Sequence, residues 1–193
     1  MLAVDGSASV TYDEFGLIAG GMAAALRDQA VAEGLTGRAV LSLLLWSGTG
    51  AQAVITPWTV IASADDLTGF ADGVENMPRL VRAGSTAIGE ALLASLTLLS
   101  HLPVKAKRSV VDVVGDGRSN EGVAPGPIRD RMAAAGITIN GLCILHEEPD
   151  LVASYTETVI GGPGAFVVTC RHYADFTEAM RQKLTREVNG PIV

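Results

Sequence analysis

Cysteine is scarce in this chain, at two of 193 residues, so the disulfide framework that staples small secreted domains is excluded. None is needed, because a chain of this length buries enough apolar surface to fold around a core. Basic residues are in deficit, 14 Lys and Arg against 21 Asp and Glu, for a net charge of −7. That balance argues against nucleic-acid binding by phosphate neutralisation and against anionic membranes. Long apolar runs are missing too. The longest nearly uninterrupted one, residues 15–26 (FGLIAGGMAAAL), is twelve residues with three glycines, short of the roughly 20 needed to cross a bilayer. The opening MLAVDGSAS has no basic start, apolar h-region or cleavage site, so no signal peptide is expected in the sequence itself. Four residues before Asp5 make a short strand for a sheet centre, as expected if a leading segment was trimmed or the start lies late.

What is present is the profile of one soluble domain over residues 1–193, with 48% hydrophobic and 18% charged residues and a mean hydropathy of +0.33. Strand-like and helix-like patterns alternate throughout. Residues 1–4 form a brief apolar run, and residues 12–32 carry Phe15, Ile18, Met22 and Leu26 at helical spacing. Gly16 and Gly20, one turn apart, predict close approach of that helix to a sheet. Residues 38–46 and 52–61 read as strands around the Ser47–Gly50 turn, short enough for an antiparallel hairpin. Residues 63–74 read as a helix, as does the segment with Ile88, Leu92, Leu96 and Leu99 that stops before Pro103. Strands are expected at 108–114, 137–145 and 165–169, and helices at 127–135 and 175–188. Such alternation implies a mostly parallel sheet covered on both faces.

The first candidate site is D-G-S-A-S, with Asp5, Ser7 and Ser9 between the first strand and first helix. Ligands gather at the carboxyl ends of strands in open α/β sheets. A carboxylate followed by hydroxyls at i+2 and i+4 can turn three oxygens toward one point, which suits a hard cation such as Mg²⁺. Taken alone, the segment reads equally as plain helix capping. Two further polar loops lie at similar junctions, Gly84–Ser85–Thr86 and Gly115–Asp116–Gly117.

The ordered set Asp5, Ser7, Ser9, Thr86 and Asp116 resembles the metal-ion-dependent adhesion site (MIDAS) of the von Willebrand factor type A (VWA) domain, whose pattern is D-x-S-x-S, then a distant Thr, then a distant Asp. All five positions match. The likeness extends over LAVDGSASV, Trp46–Ser47–Gly48, GSTAIGEAL at 84–92, VVDVVGDGRSNEG at 110–122, GITINGLCIL at 136–145 and VIGGPGAFVV at 159–168, and it is closest to a bacterial VWA-like family of unknown function. It implies a single VWA-like (Rossmann-like) α/β domain: a mostly parallel six-stranded sheet with one antiparallel edge strand and helices on both faces. It further implies a bound Mg²⁺, with Mn²⁺ or Ca²⁺ as alternatives, and no enzymatic role. The expected partner is a protein or peptide offering an Asp or Glu carboxylate to the ion. Location in the periplasm or outside the cell is implied as well. Gly6 departs from the family, where a branched apolar residue is common, and is expected to loosen the loop without removing a ligand.

Other polar residues have plainer readings. Asp112 lies on the same strand face as Asp116 but roughly 13 Å away, so a buried structural carboxylate is expected. Glu147, Glu148 and Asp150 form either an acidic rim to the site or, as favoured, a solvated loop. His101, His146 and His172 show no zinc-ligand spacing, GRSNE at 117–121 is no nucleophile elbow, and Gly161–Gly164 reads as a tight turn. Cys143 and Cys170 are expected near one another on the last two strands, as buried thiols or, less favoured, a disulfide. Two alternatives to a binding module stay open: a haloacid-dehalogenase-like phosphatase using Asp5, although Ser7 stands where its second Asp belongs, and a metal-free structural domain.

Overall fold

The structure, a computed structural model, describes residues 1–190; residues 191–193 of the expected domain lie outside the described residues. Six apolar, β-rich segments form one sheet: β1 (Leu2–Asp5), β2 (Ala39–Trp46), β3 (Gln52–Ile61), β4 (Ser109–Gly115), β5 (Ile137–Ile144) and β6 (Val167–Cys170). Their order is β3-β2-β1-β4-β5-β6. All pairs are parallel except the β2–β3 hairpin, whose connection is too short for a parallel crossover. β1 and β5 are buried along their whole length, as expected of interior strands covered on both faces.

Each face of the sheet has its own core. Helices α1 (Tyr12–Leu26), α2 (Gln29–Leu35), α3 (Ala64–Glu75) and α7 (Phe176–Val188) cover one face, packing Ile18, Met22, Phe70 and Phe176 against Val4, Leu43 and Leu45. Helices α4 (Ile88–Ser100), α5 (Pro125–Ala134) and α6 (Leu151–Thr158) cover the other, where Ile88, Leu92, Met132 and Tyr155 meet Ala3, Trp46 and Val113. The chain leaves β1 toward β2 on one side and enters β4 on the other. The carboxyl ends of β1 and β4 therefore flank the switch point where such sheets bind ligands.

Several expectations are corrected in detail. The helix predicted over 12–32 is two helices, because Asp28 accepts from the Ala30 and Val31 amides and starts a new N-terminus. Gly16 and Gly20 face open space; it is Gly21 that lets α1 approach α7, since a Cβ there would sit 2.7 Å from the Phe176 ring. The helix expected at 127–135 starts earlier, at Pro125, where the missing N–H costs nothing. Helix α6 forms over residues to which the sequence reading assigns no element. The turn at 161–164 is one, with Gly162 and Gly164 at positive φ.

Cys143 and Cys170 are both free. Thr169 is the register partner of Cys143, and Ile144 that of Cys170. The two thiols therefore point to opposite faces of the sheet, one into each core, which rules out the bond geometry of a disulfide.

Candidate metal centre

Three loops meet at the carboxyl ends of β1 and β4. The first, residues 6–11, begins at Asp5, whose Oδ1 accepts the Ser7 amide at 2.7 Å. This local bond turns the chain so that the Ser7 and Ser9 hydroxyls lie 3.1 Å apart. Ser9 Oγ then donates to Asp116 Oδ1 at 2.7 Å, joining β1's loop to β4's across 107 residues. Helix α1 is capped not by either serine but by Thr11, in a capping box with Glu14. The alternative of plain capping thus loses its function for Ser7 and Ser9; the Ser7 hydroxyl meets that of Ser9, and Ser9 donates to Asp116 instead.

Thr86 arrives on the second loop. Its backbone is clamped to the third: the Thr86 amide donates to Asn120 Oδ1 and its carbonyl accepts the Asn120 amide, each at 2.9 Å. Helix α4, starting at Ile88, has no side-chain cap, so Thr86 is not spent on capping either. A Cβ placed on Gly117 would lie 3.7 Å from Thr86 Oγ1, which puts that hydroxyl beside the Asp116 loop. The structure thus brings Asp5, Ser7, Ser9 and Asp116 together through hydrogen bonds and sets Thr86 against them.

Electrostatically the cluster is incomplete. Asp5 and Asp116 are both fully buried, and among the described residues no basic side chain donates to either. Arg79 lies nearby, but its Nη2 donates to the backbone carbonyls of Gly6 and Ser7 at 3.0 and 2.7 Å. Asp5 Oδ2 is buried with no hydrogen-bond partner at all, a costly arrangement for a carboxylate. Burial, and then the neighbouring Asp116 charge, push Asp5 up to about 7. Two close acidic groups, three hydroxyls and an orphaned oxygen fit a hard divalent cation, for which oxygen donors and net negative charge are the requirement. No group of three or more His, Cys, Asp or Glu able to hold a metal occurs among the described residues.

Residues without a sequence signal complete the setting. Tyr173, in a single 3₁₀ turn before α7, donates to Asp116 Oδ2 at 2.8 Å; it lies 57 residues from its partner, so no local spacing announces it. Val81 Cγ2 and Leu45 occupy the space a side chain at Gly6 would need, with Val81 2.9 Å from a Cβ built there. Gly6 therefore does not loosen the loop; an apolar residue from another segment takes the missing side chain's place. Of the acidic loop, Glu147 and Asp150 are exposed, whereas half-buried Glu148 accepts from the Arg118 amide and, at 2.5 Å, from Arg118 Nε. It closes the rim beside Gly117. His146 and His172 stack edge to face, 5.9 Å between centroids, also beside Tyr173. Asp112 is remote and paired with Lys183, as expected of a structural carboxylate.

A family model described as "Protein of unknown function (DUF1194)" matches residues 1–192. The chain belongs to the DUF1194 family. Solved structures show that this DUF1194 domain has the VWA fold. A von Willebrand factor type A protein from Catenulispora acidiphila matches with TM-score 0.67 at 17% identity, over 97% of this chain and 42% of that one. Proximal thread matrix protein 1 from the mussel byssus, with a zinc-occupied MIDAS motif, gives 0.64 at 17% identity, over 97% and 47%. The pilus adhesin SpaC from Lactobacillus rhamnosus GG gives 0.71 at 10% identity, over 97% and 30%. The chain thus spans less than half the length of each. No curated protein sequence matches it. No helix among the described residues is long and apolar enough to cross a membrane.

Proposed function

We propose that this domain is a divalent-cation-dependent protein-binding module. Asp5, Ser7, Ser9, Thr86 and Asp116 would hold one ion, Mg²⁺ in the first instance, with Mn²⁺ or Ca²⁺ as substitutes. The observation that carries the reading is the buried, unpartnered Asp5 Oδ2 beside Asp116, with no basic side chain among the described residues donating to either carboxylate. A bound cation would supply the missing charge and, with an open coordination position, attract a further carboxylate. Two ligand charges only balance a divalent ion, and the hydroxyls add none, so the ion stays electrophilic toward an Asp or Glu of a partner protein. The zinc-occupied MIDAS motif of the mussel protein and the likeness to the pilus adhesin SpaC support the same reading. They also support a periplasmic or extracellular setting, with protein rather than nucleic acid as the partner. The donor set is hydroxyl-rich and offers no second carboxylate at Ser7 for acid–base work, which favours binding over catalysis.

The test is capture of partner proteins on the immobilised domain in Mg²⁺ and in EDTA, with Asp5→Asn as the control. Binding that requires Mg²⁺ and Asp5 supports the reading. Chelator-insensitive capture of the same partner by the Asp5→Asn variant would move recognition to another surface.

A further inference from the structure

The chain has three tyrosines, and two of them stand behind the two acidic residues of the centre. Tyr173 reaches Asp116 Oδ2 directly, at 2.8 Å, from the core on the α1 and α7 face. Tyr155 comes from α6 in the opposite core. It is fully buried, and its hydroxyl, like Asp5 Oδ2, has no hydrogen-bond partner. The two orphaned atoms border the same place: a Cβ built on Gly115 would lie 2.7 Å from Tyr155 Oη and 3.0 Å from Asp5 Oδ2. Gly115 therefore keeps clear a polar gap that a direct or single-water hydrogen bond would span.

We propose that Tyr155 and Tyr173 are positioning residues of the metal centre, each setting the orientation of one carboxylate, Asp5 and Asp116 respectively. This rests on the reading of those two aspartates as ligands. The choice of residue type has a physical reason. A lysine or arginine behind a carboxylate would fix it equally well but would cancel charge that the cation needs. A phenol donates one hydrogen bond, fixes the rotamer, and leaves the negative charge for the ion. An ordinary phenol titrates at about 10, so both hydroxyls are donors at neutral pH. Tyr173 already holds Asp116 from one face of the sheet, and Tyr155 stands on the other to hold Asp5 once a cation draws its carboxylate into place, which lowers the ordering cost of binding.

The experiment compares wild type, Tyr155→Phe, Tyr173→Phe and Asp5→Asn by calorimetric titration with Mn²⁺ alone, and by thermal melts in EDTA. Phenylalanine keeps the packed ring, so each variant removes only the hydroxyl. Each tyrosine variant is expected to bind Mn²⁺ about tenfold to a hundredfold more weakly, while Asp5→Asn shows no binding. In EDTA, Tyr155→Phe should melt no lower than wild type, because it deletes an unpartnered buried hydroxyl. A merely structural role would give the reverse, a lower melt with unchanged affinity, and would overturn the proposal. Tyrosine variants binding as wild type beside a dead Asp5→Asn would overturn the proposal and leave the metal reading standing; binding by Asp5→Asn would remove both. Wild type itself gives a second readout, since Mn²⁺ should produce an ultraviolet difference band from the two buried tyrosines. The absence of that band at saturating Mn²⁺ would also count against the proposal.

Discussion

Two buried aspartates lie along β4, one at its middle and one just past its carboxyl end, and the two are treated in opposite ways. At the middle, Asp112 meets Lys183, which also binds Glu187 at 2.5 Å. Asn140 donates to that same Glu187 at 2.8 Å. Burial opposes charge there, yet the Lys183 ammonium holds Asp112 below the ordinary carboxylate range, and the two acids together raise Lys183. Just past its end, Asp116 and neighbouring Asp5 receive only neutral donors, from Ser7, Ser9 and Tyr173. One acidic pair is completed by the chain's own cation. The other receives no such cation, and on the proposed reading it takes one from outside. The same strand thus separates a cluster closed by its own lysine from one left open, and the difference lies in whether a basic side chain donates to the acids.

The largest effect should come from opening the closed cluster. Lys183→Met removes the cation between Asp112 and Glu187 and leaves buried acids uncompensated, for an expected loss of about 3–5 kcal/mol in urea unfolding. A loss of less than about 1 kcal/mol would show that the cluster is not closed by Lys183. The mirror experiment at the open cluster has the opposite sign. Asp5→Asn should abolish Mg²⁺ binding yet leave the metal-free protein at least as stable as wild type, since it removes half of an unneutralised pair.

The pH dependence sharpens the same contrast. Asp5 holds its proton up to about 7 when folded, against an ordinary carboxyl value of 3.8. Between those values the folded protein binds more protons than the unfolded one, so metal-free stability should fall as pH rises, by at most about 1.4 kcal/mol per pH unit. Saturating Mg²⁺ or the Asp5→Asn change should flatten that slope in melts from pH 4 to 7. Because binding displaces the Asp5 proton, Mg²⁺ affinity should climb over the same window and level off above it.

Smaller effects follow from neutral groups. Thr86→Ala keeps both charges and should weaken Mg²⁺ binding by less than about tenfold, in the range of one lost second-loop contact. An effect as large as that of Asp5→Asn would mean that charge is not what sets affinity here. Smallest of all, reductant should leave the melting temperature unchanged, and thiol counting under denaturing, non-reducing conditions should find both cysteines free.

The open cluster was far more legible in the sequence than the closed one. D-x-S-x-S, Thr86 and Asp116 form an ordered pattern because their loops all reach the carboxyl ends of β1 and β4, two of them directly from those strands and the Thr86 loop from between α3 and α4. The mostly parallel sheet followed from the alternation of apolar runs, and its antiparallel hairpin from the short Ser47–Gly50 turn. Lys183 was read only as part of a closing helix, since a lysine on an amphipathic helix carries no mark of burial until the helix is docked on Asp112. Tyr155 and Tyr173 were invisible for a similar reason: hydroxyl-to-carboxylate contacts across cores have no fixed spacing. Gly6 was misread because its missing side chain is replaced from residue 81, a compensation that only tertiary packing reveals.

The central claim is that Asp5 and Asp116 await a cation, and calorimetric titration of the chelator-treated protein with Mg²⁺ at neutral pH tests it most directly. The account predicts one saturable site, lost in Asp5→Asn and retained in a variant of the closed cluster such as Asn140→Ala. Absence of binding in wild type, or equal binding by Asp5→Asn, would contradict it.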